Sequence, residues 1–272
     1  MPSSPASSTL RNVFGLGIAA TLLLASPPAG AQAQRPGQDT AAVHDRCIDL
    51  ARSNPKEGLE RARVWKSEGG GFAADHCIGM ALFMMKDYAG AAERFETLAS
   101  AMMAAPPEQR AQALDQAGQS WLDANEPARA KIDFDGALAL GGEEVDLLID
   151  RSEAYAALKK YWEAIDDLNR ALDLQPNRAD ALIYRGTAYR YLDSLDLALE
   201  DVEHALKLAP NSPTALLERG NIRRLKGDIA EARADWTHVR ELAPNTAEGK
   251  AAETNLERLG GTAAAGKKKP GS

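Results

Sequence analysis

Apolar residues in the second half of the chain fall on one face of a helix, then break at a polar turn, then resume. In the segment 145–178, Leu148, Tyr155 and Leu158 keep helical spacing, and after a turn Ala164, Ile165, Leu168, Ala171 and Leu172 do so again. Two amphipathic helices joined by a short turn are a helix hairpin. The same pattern returns at 179–212, with Leu182, Gly186 and Tyr189 followed by Ala198, Val202, Ala205 and Leu206. It returns at 213–246 with Leu216, Gly220, Ala232, Trp236 and Val239, and is present before these at 111–144 with Leu114, Gly118, Trp121, Ala130, Phe134 and Ala137. Pro176, Pro210 and Pro244 stand 34 residues apart and end each second helix, with Asn177, Asn211 and Asn245 directly after them. A fixed period of this length predicts stacked supersecondary units, in which each hairpin buries its apolar face on the next. Small residues such as Gly186 and Ala198 let paired helices approach closely, and larger ones such as Tyr189 and Val202 fill the space beside them.

These residues resemble the tetratricopeptide repeat: a Leu, a small residue, an aromatic, then Ala, a large apolar residue, Ala and Pro in phase within 34 residues. The resemblance covers 111–246 as four units, with Gly142 in place of proline in the first. It implies an all-α, right-handed superhelical solenoid whose first helices line a concave groove. Carried onto this chain, the groove positions include Ile149, Glu153, Ile183, Thr187, Arg190, Leu217, Asn221 and Arg224. Ile149, Ile183 and Leu217 would form an apolar row in register, with Arg190 and Arg224 as a basic edge. The Lys/Asn pattern that clamps a C-terminal carboxylate in chaperone adaptors of the family is matched only at Asn221. Three of the units also depart from the family together, carrying Arg151, Arg185 and Arg219 where Leu is usual. Asp167, Asp201 and Asp235 follow each arginine by sixteen residues, a spacing that a hairpin would close into structural ion pairs.

The period weakens toward the N-terminus. Residues 72–105 still fit one unit, PPEQR at 106–110 reads as an insertion, and 40–71 reads as a degenerate first hairpin. In that register Cys47 and Cys77 lie on the first helices of consecutive hairpins, which pack side by side in this family. A disulfide is therefore expected, with free thiols or a zinc site using His44 and His76 as the alternatives. Adjacent helical residues point about 100° apart, which weakens a site needing both His76 and Cys77. At the far end 247–259 reads as a capping helix and 260–272 as a disordered tail.

The first 33 residues have the form of a secretory signal: one charge at Arg11, an apolar run from Val13 to Leu24, and small-x-small cleavage sites near Ala31 and Ala33. Residues 34–39 read as a flexible lead-in. An exported chain, periplasmic or secreted, suits an even cysteine count paired as a disulfide. The net charge of −7 argues against nucleic acid as a partner, and no membrane span is expected once the signal is removed. Lys267–Lys269 is the one dense basic run, in a Gly/Ala-rich tail. Ser53-Asn54-Pro55-Lys56 matches S-x-x-K without its companion motifs, and no Walker, Rossmann, GxSxG or HExxH pattern occurs. The sequence thus points to a non-catalytic module without cofactor that binds a protein or peptide in the bacterial envelope. A periplasmic holdase, or an accessory subunit of an envelope enzyme or cytochrome-maturation complex, stands as the alternative.

Overall fold

The computed structural model describes residues 36–142 and 144–265, with side-chain surroundings from residue 40 to residue 259. The expected leader and the Lys267–Lys269 run lie outside the described residues. Thirteen helices and no strand occur among the described residues. They pair as hairpins: α1 (Pro36–Ser53) with α2 (Pro55–Ser67), α3 (Gly71–Met84) with α4 (Tyr88–Ala101), and α5 (Pro107–Asp123) with α6 (Pro127–Gly141). Then come α7 (Val145–Ala157) with α8 (Tyr161–Leu174), α9 (Ala179–Tyr191) with α10 (Leu195–Leu208), and α11 (Pro213–Lys226) with α12 (Ile229–Leu242). The last helix, α13 (Ala247–Ala265), packs on α11 and α12. The architecture is an all-α solenoid of stacked hairpins.

Three boundaries differ from the sequence reading. Residues 36–39, expected as lead-in, begin α1, and 260–265, expected in the tail, continue α13. Pro107 sits at the start of α5, so most of the expected insertion is its first turn. Proline costs nothing there, because the N–H it lacks has no intrahelical partner at that position.

Every hairpin after the first turns through one residue with positive φ: Lys86 (64°), Asn125 (60°), Lys159 (61°), Asp193 (58°) and Gly227 (93°). The last four are 34 apart, so the left-handed turn is part of the repeat. Close helix contact within a hairpin rests on a second recurring pair. A Cβ on Gly118 would lie 2.6 Å from the Phe134 ring, one on Gly186 2.8 Å from Val202, and one on Gly220 2.5 Å from Trp236. The small residue of the first helix is therefore the socket for the large residue sixteen positions on. From Leu148 to Ala252 these contacts merge into one continuous core, which Leu256 and Leu259 of α13 extend. Toward the N-terminus the core divides into smaller clusters.

Candidate functional site: the face of the first helices

The first helices touch one another along the stack, α5 on α7, α7 on α9, α9 on α11 and α11 on α13. Their shared face is the surface that the second helices leave open. Ile149 and Ile183 are 4% and 7% exposed there. They are therefore corrected from an open apolar row to seam residues. First helices pack directly on each other, and apolar side chains at that position are consumed by the joint. Leu217 is half-buried against the same core.

Other expected groove residues are tied to one another. The Thr187 hydroxyl donates to the Ile183 carbonyl at 2.9 Å. Arg190 donates to Glu218 and lies over the Tyr191 ring, 4.4 Å from its centre. Asn221 donates to the same Glu218 at 3.2 Å and accepts from Asn255 of α13 at 3.1 Å. This network welds α9, α11 and α13 together. Arg224 is exposed, and Glu153 lines an open depression on this face.

That depression, about 390 Å³, lies between α5, α7 and α9. Its polar lining is Asp115 and Gln119 from α5, Asp146, Asp150 and Glu153 from α7, Asp180 and Tyr184 from α9, and Arg178 just before α9. Ile149 forms part of its floor. Gln119 bridges two carboxylates, donating to Asp115 at 3.1 Å and Asp150 at 3.0 Å. Burial first, then the neighbouring Asp150 charge, pushes Asp115 up to about 7. Burial also raises Asp150 and Glu153. The buried Oδ1 of Asp115 faces no donor, and a proton held between Asp115 and Asp150 relieves that contact. Tyr184 is pushed upward by burial and by the nearby Glu153. Arg178 holds Asp146 at 2.8 Å and Asp180 at 2.7 Å, and its hydrogen bond lowers Asp180. Five carboxyl groups thus surround one guanidinium. Asp115, Asp150 and Tyr184 escaped the sequence reading. The available signal was a polar stripe beside the apolar row: Asp146 with Asp150, and Asp180 with Tyr184, each four residues apart on one helix face.

Behind this face each repeat arginine holds the aspartate sixteen residues on, and Arg151 and Arg185 also reach the second helix of the previous hairpin. Arg151 grips Asp167 with Nε at 2.8 Å and Nη2 at 2.6 Å, and reaches Asp135 of the previous hairpin with Nη1 at 2.8 Å. Arg185 repeats this on Asp201 at 2.8 and 2.7 Å and on Asn169 at 2.8 Å. Arg219 holds Asp235 at 3.0 and 2.7 Å, and Arg223 adds a further bond to that carboxylate at 2.8 Å. At the N-terminal end a disulfide joins Cys47 to Cys77, with Cα atoms 6.1 Å apart. Beside it His44 and His76 hydrogen-bond to each other at 2.9 Å, and burial lowers His76 to about 4. With both sulfurs bonded to each other, these four residues form a staple and a ring pair. Among the described residues no three His, Cys, Asp or Glu side chains converge as a metal site.

Residues 145–178 match the tetratricopeptide-repeat family profile. Solved structures with this fold include MamA, 23% identical over 61% of this chain and 94% of that one, TM-score 0.51. MamA from Desulfovibrio magneticus RS-1, residue 41 to the end, is 20% identical over 68% of this chain and 97% of its own, TM-score 0.54. YrrB, described as a TPR protein with an unusual peptide-binding site, is 19% identical over 71% of this chain and 96% of its own, TM-score 0.50. At such identities the likeness concerns the fold. No curated protein matches the chain. The matched unit is thus a tetratricopeptide repeat, set within a stack of similar helix hairpins. Among the described residues no helix is long and apolar enough to cross a membrane.

Proposed function

We propose that this protein is a non-catalytic interaction module of the bacterial envelope, which holds a segment of a partner protein against the face of its first helices. The observation that carries the reading is the open depression at Asp115, Asp150 and Glu153 on the face of the first helices. Its excess of carboxyl groups over the single Arg178 favours a segment bearing Lys or Arg, whose charge would also draw these acids into their ionised forms. A disulfide between Cys47 and Cys77 supports an oxidising compartment, and so the exported location. YrrB's described peptide-binding site supports the same kind of use for a related fold.

A photoreactive residue in place of Gln119 should capture one partner, at a Lys- or Arg-bearing segment, while the same group in place of the exposed Glu200 on α10 should not. Equal capture from both positions would remove the first-helix face from the model of binding. Capture of many unrelated unfolded chains would replace the dedicated module with a holdase.

A further inference from the structure

The two ends of the stack are finished differently. At the C-terminal end α13 lays Ala252, Leu256 and Leu259 on the core and turns Lys250, Thr254 and Glu257 outward. Terminal units of a solenoid need such a polar outer face to stay soluble. At the N-terminal end the outer side of the α1–α2 hairpin is an open groove of about 1010 Å³, mainly apolar. Val43 and Leu50 of α1 face Val64 and Trp65 of α2 across it, and Val64 is 56% exposed.

The shape and the rim both specify an occupant. The lining runs from Val43 to Ser53 on one helix and from Glu57 to Glu68 on the other. At 1.5 Å per residue this is about three helical turns. On its opposite side the same hairpin receives α3, whose Cys77, Ile78 and Ala81 share its core. A helix is thus the natural complement of this hairpin. The rim carries Asp49, Glu57, Glu60 and Glu68 against Arg46 and Arg61, and Arg61 is engaged by Glu57 at 3.2 Å. The uncompensated charge is negative. A symmetric contact between two copies would set one acidic rim against another, in a chain of net charge −7.

We propose that the α1–α2 groove is a second docking surface, separate from the first-helix face, and that it takes a three-turn amphipathic helix of a partner protein, its apolar stripe flanked by Lys or Arg. The mode is helix-in-groove recognition.

The test uses a fluorescent 14-residue helical peptide with a Leu stripe flanked by Lys, and the same peptide with Glu in the flanks. Each is titrated by anisotropy into the chain beginning at residue 34 and into the chain beginning at Met1. The Lys-flanked peptide should bind both, at least tenfold tighter than the Glu-flanked one. Val64→Asp, at an exposed helical position, should weaken it at least tenfold while circular dichroism stays unchanged. Glu60→Lys with Glu68→Lys should reverse the preference between peptides, which guards against a Val64→Asp chain that misfolds. No binding, indifference to the flanks, or binding untouched by both variants would overturn the proposal. So would a dimer in sedimentation that Val64→Asp disperses, which makes a second copy the occupant. Binding to the shorter chain alone would instead assign the groove to residues 1–33.

Discussion

Asp133 stands opposite Ala117, at the place where each following repeat sets an aspartate against an arginine. The three partnered carboxylates are buried at Asp167, Asp201 and Asp235, and Asp133 is buried as well, at 7% exposure, with its Oδ2 unbonded. Burial and the Glu96 charge push it from 3.8 up to about 7, against a weaker pull from Arg129. The folded chain therefore keeps a proton that the unfolded chain releases. This contribution is complete below the unfolded value of 3.8 and is lost as pH rises through about 7. Asp133→Asn should be more stable than wild type by about 1–3 kcal/mol at pH 8 and should flatten the fall in stability between pH 5 and 8. Urea midpoints at the two pH values read both effects; an unchanged slope would contradict the assignment.

Arg185 and Asp201 present the opposite case, a buried carboxylate whose hydrogen bonds are made by a partly buried arginine. Arg185→Leu alone should cost about 3 kcal/mol, because it strands the Asp201 carboxylate. Arg185→Leu with Asp201→Leu should recover much of that loss. Denaturant unfolding of the two single variants and the double variant gives the coupling directly.

Lys159 turns the chain at φ 61°, where Gly227 serves two repeats later. Lys159→Gly should raise stability by about 1 kcal/mol, since glycine carries no Cβ penalty in the left-handed region. The matching change at Gly227, to Lys, should lower it by a similar amount.

Cys47 and Cys77 close a loop of sequence separation 30. Cys47→Ser should cost about 3 kcal/mol on the chain-entropy account. Hydrogen exchange should show the loss concentrated in α1 to α3, with α9 to α12 little changed, because coupling in a stack passes between neighbours.

Binding of a cationic segment at the first-helix depression should weaken as pH falls from 8 to 6. Asp115, near 7, takes up a proton across that range and leaves less charge to meet the ligand. Asp115→Asn should bind more weakly at pH 8 and lose most of the pH dependence. Titration calorimetry with a Lys-rich peptide at both values checks it, and a flat wild-type profile would contradict it.

The periodic features were the legible ones. Helix hairpins, the small-to-large pairs such as Gly220 with Trp236, and the sixteen-residue Arg–Asp interval are all read along one chain, because packing in a stack repeats with the sequence. The site was less legible. A row of Ile149 and Ile183 looks the same in sequence whether it meets solvent or the neighbouring first helix, and the inter-unit joint decided that it is buried. Asp115 and Asp150 become a pair only when α5 and α7 lie side by side, and nothing local announces it. The Asp133 vacancy could have been found by asking what residue 117 supplies, since Ala117 breaks a pattern that Arg151, Arg185 and Arg219 keep.

The covalent link at one end gives the molecule a direction. Substantial contacts join each helix only to its next two neighbours, so a pull on the C-terminus strips α13, then one hairpin after another, without waiting for a global event. The thread runs freely until Cys77. There the loop back to Cys47 must pass doubled or not at all. A translocase or protease working from the tail would digest the repeats in order and stall at a defined remnant containing α1, α2 and the start of α3.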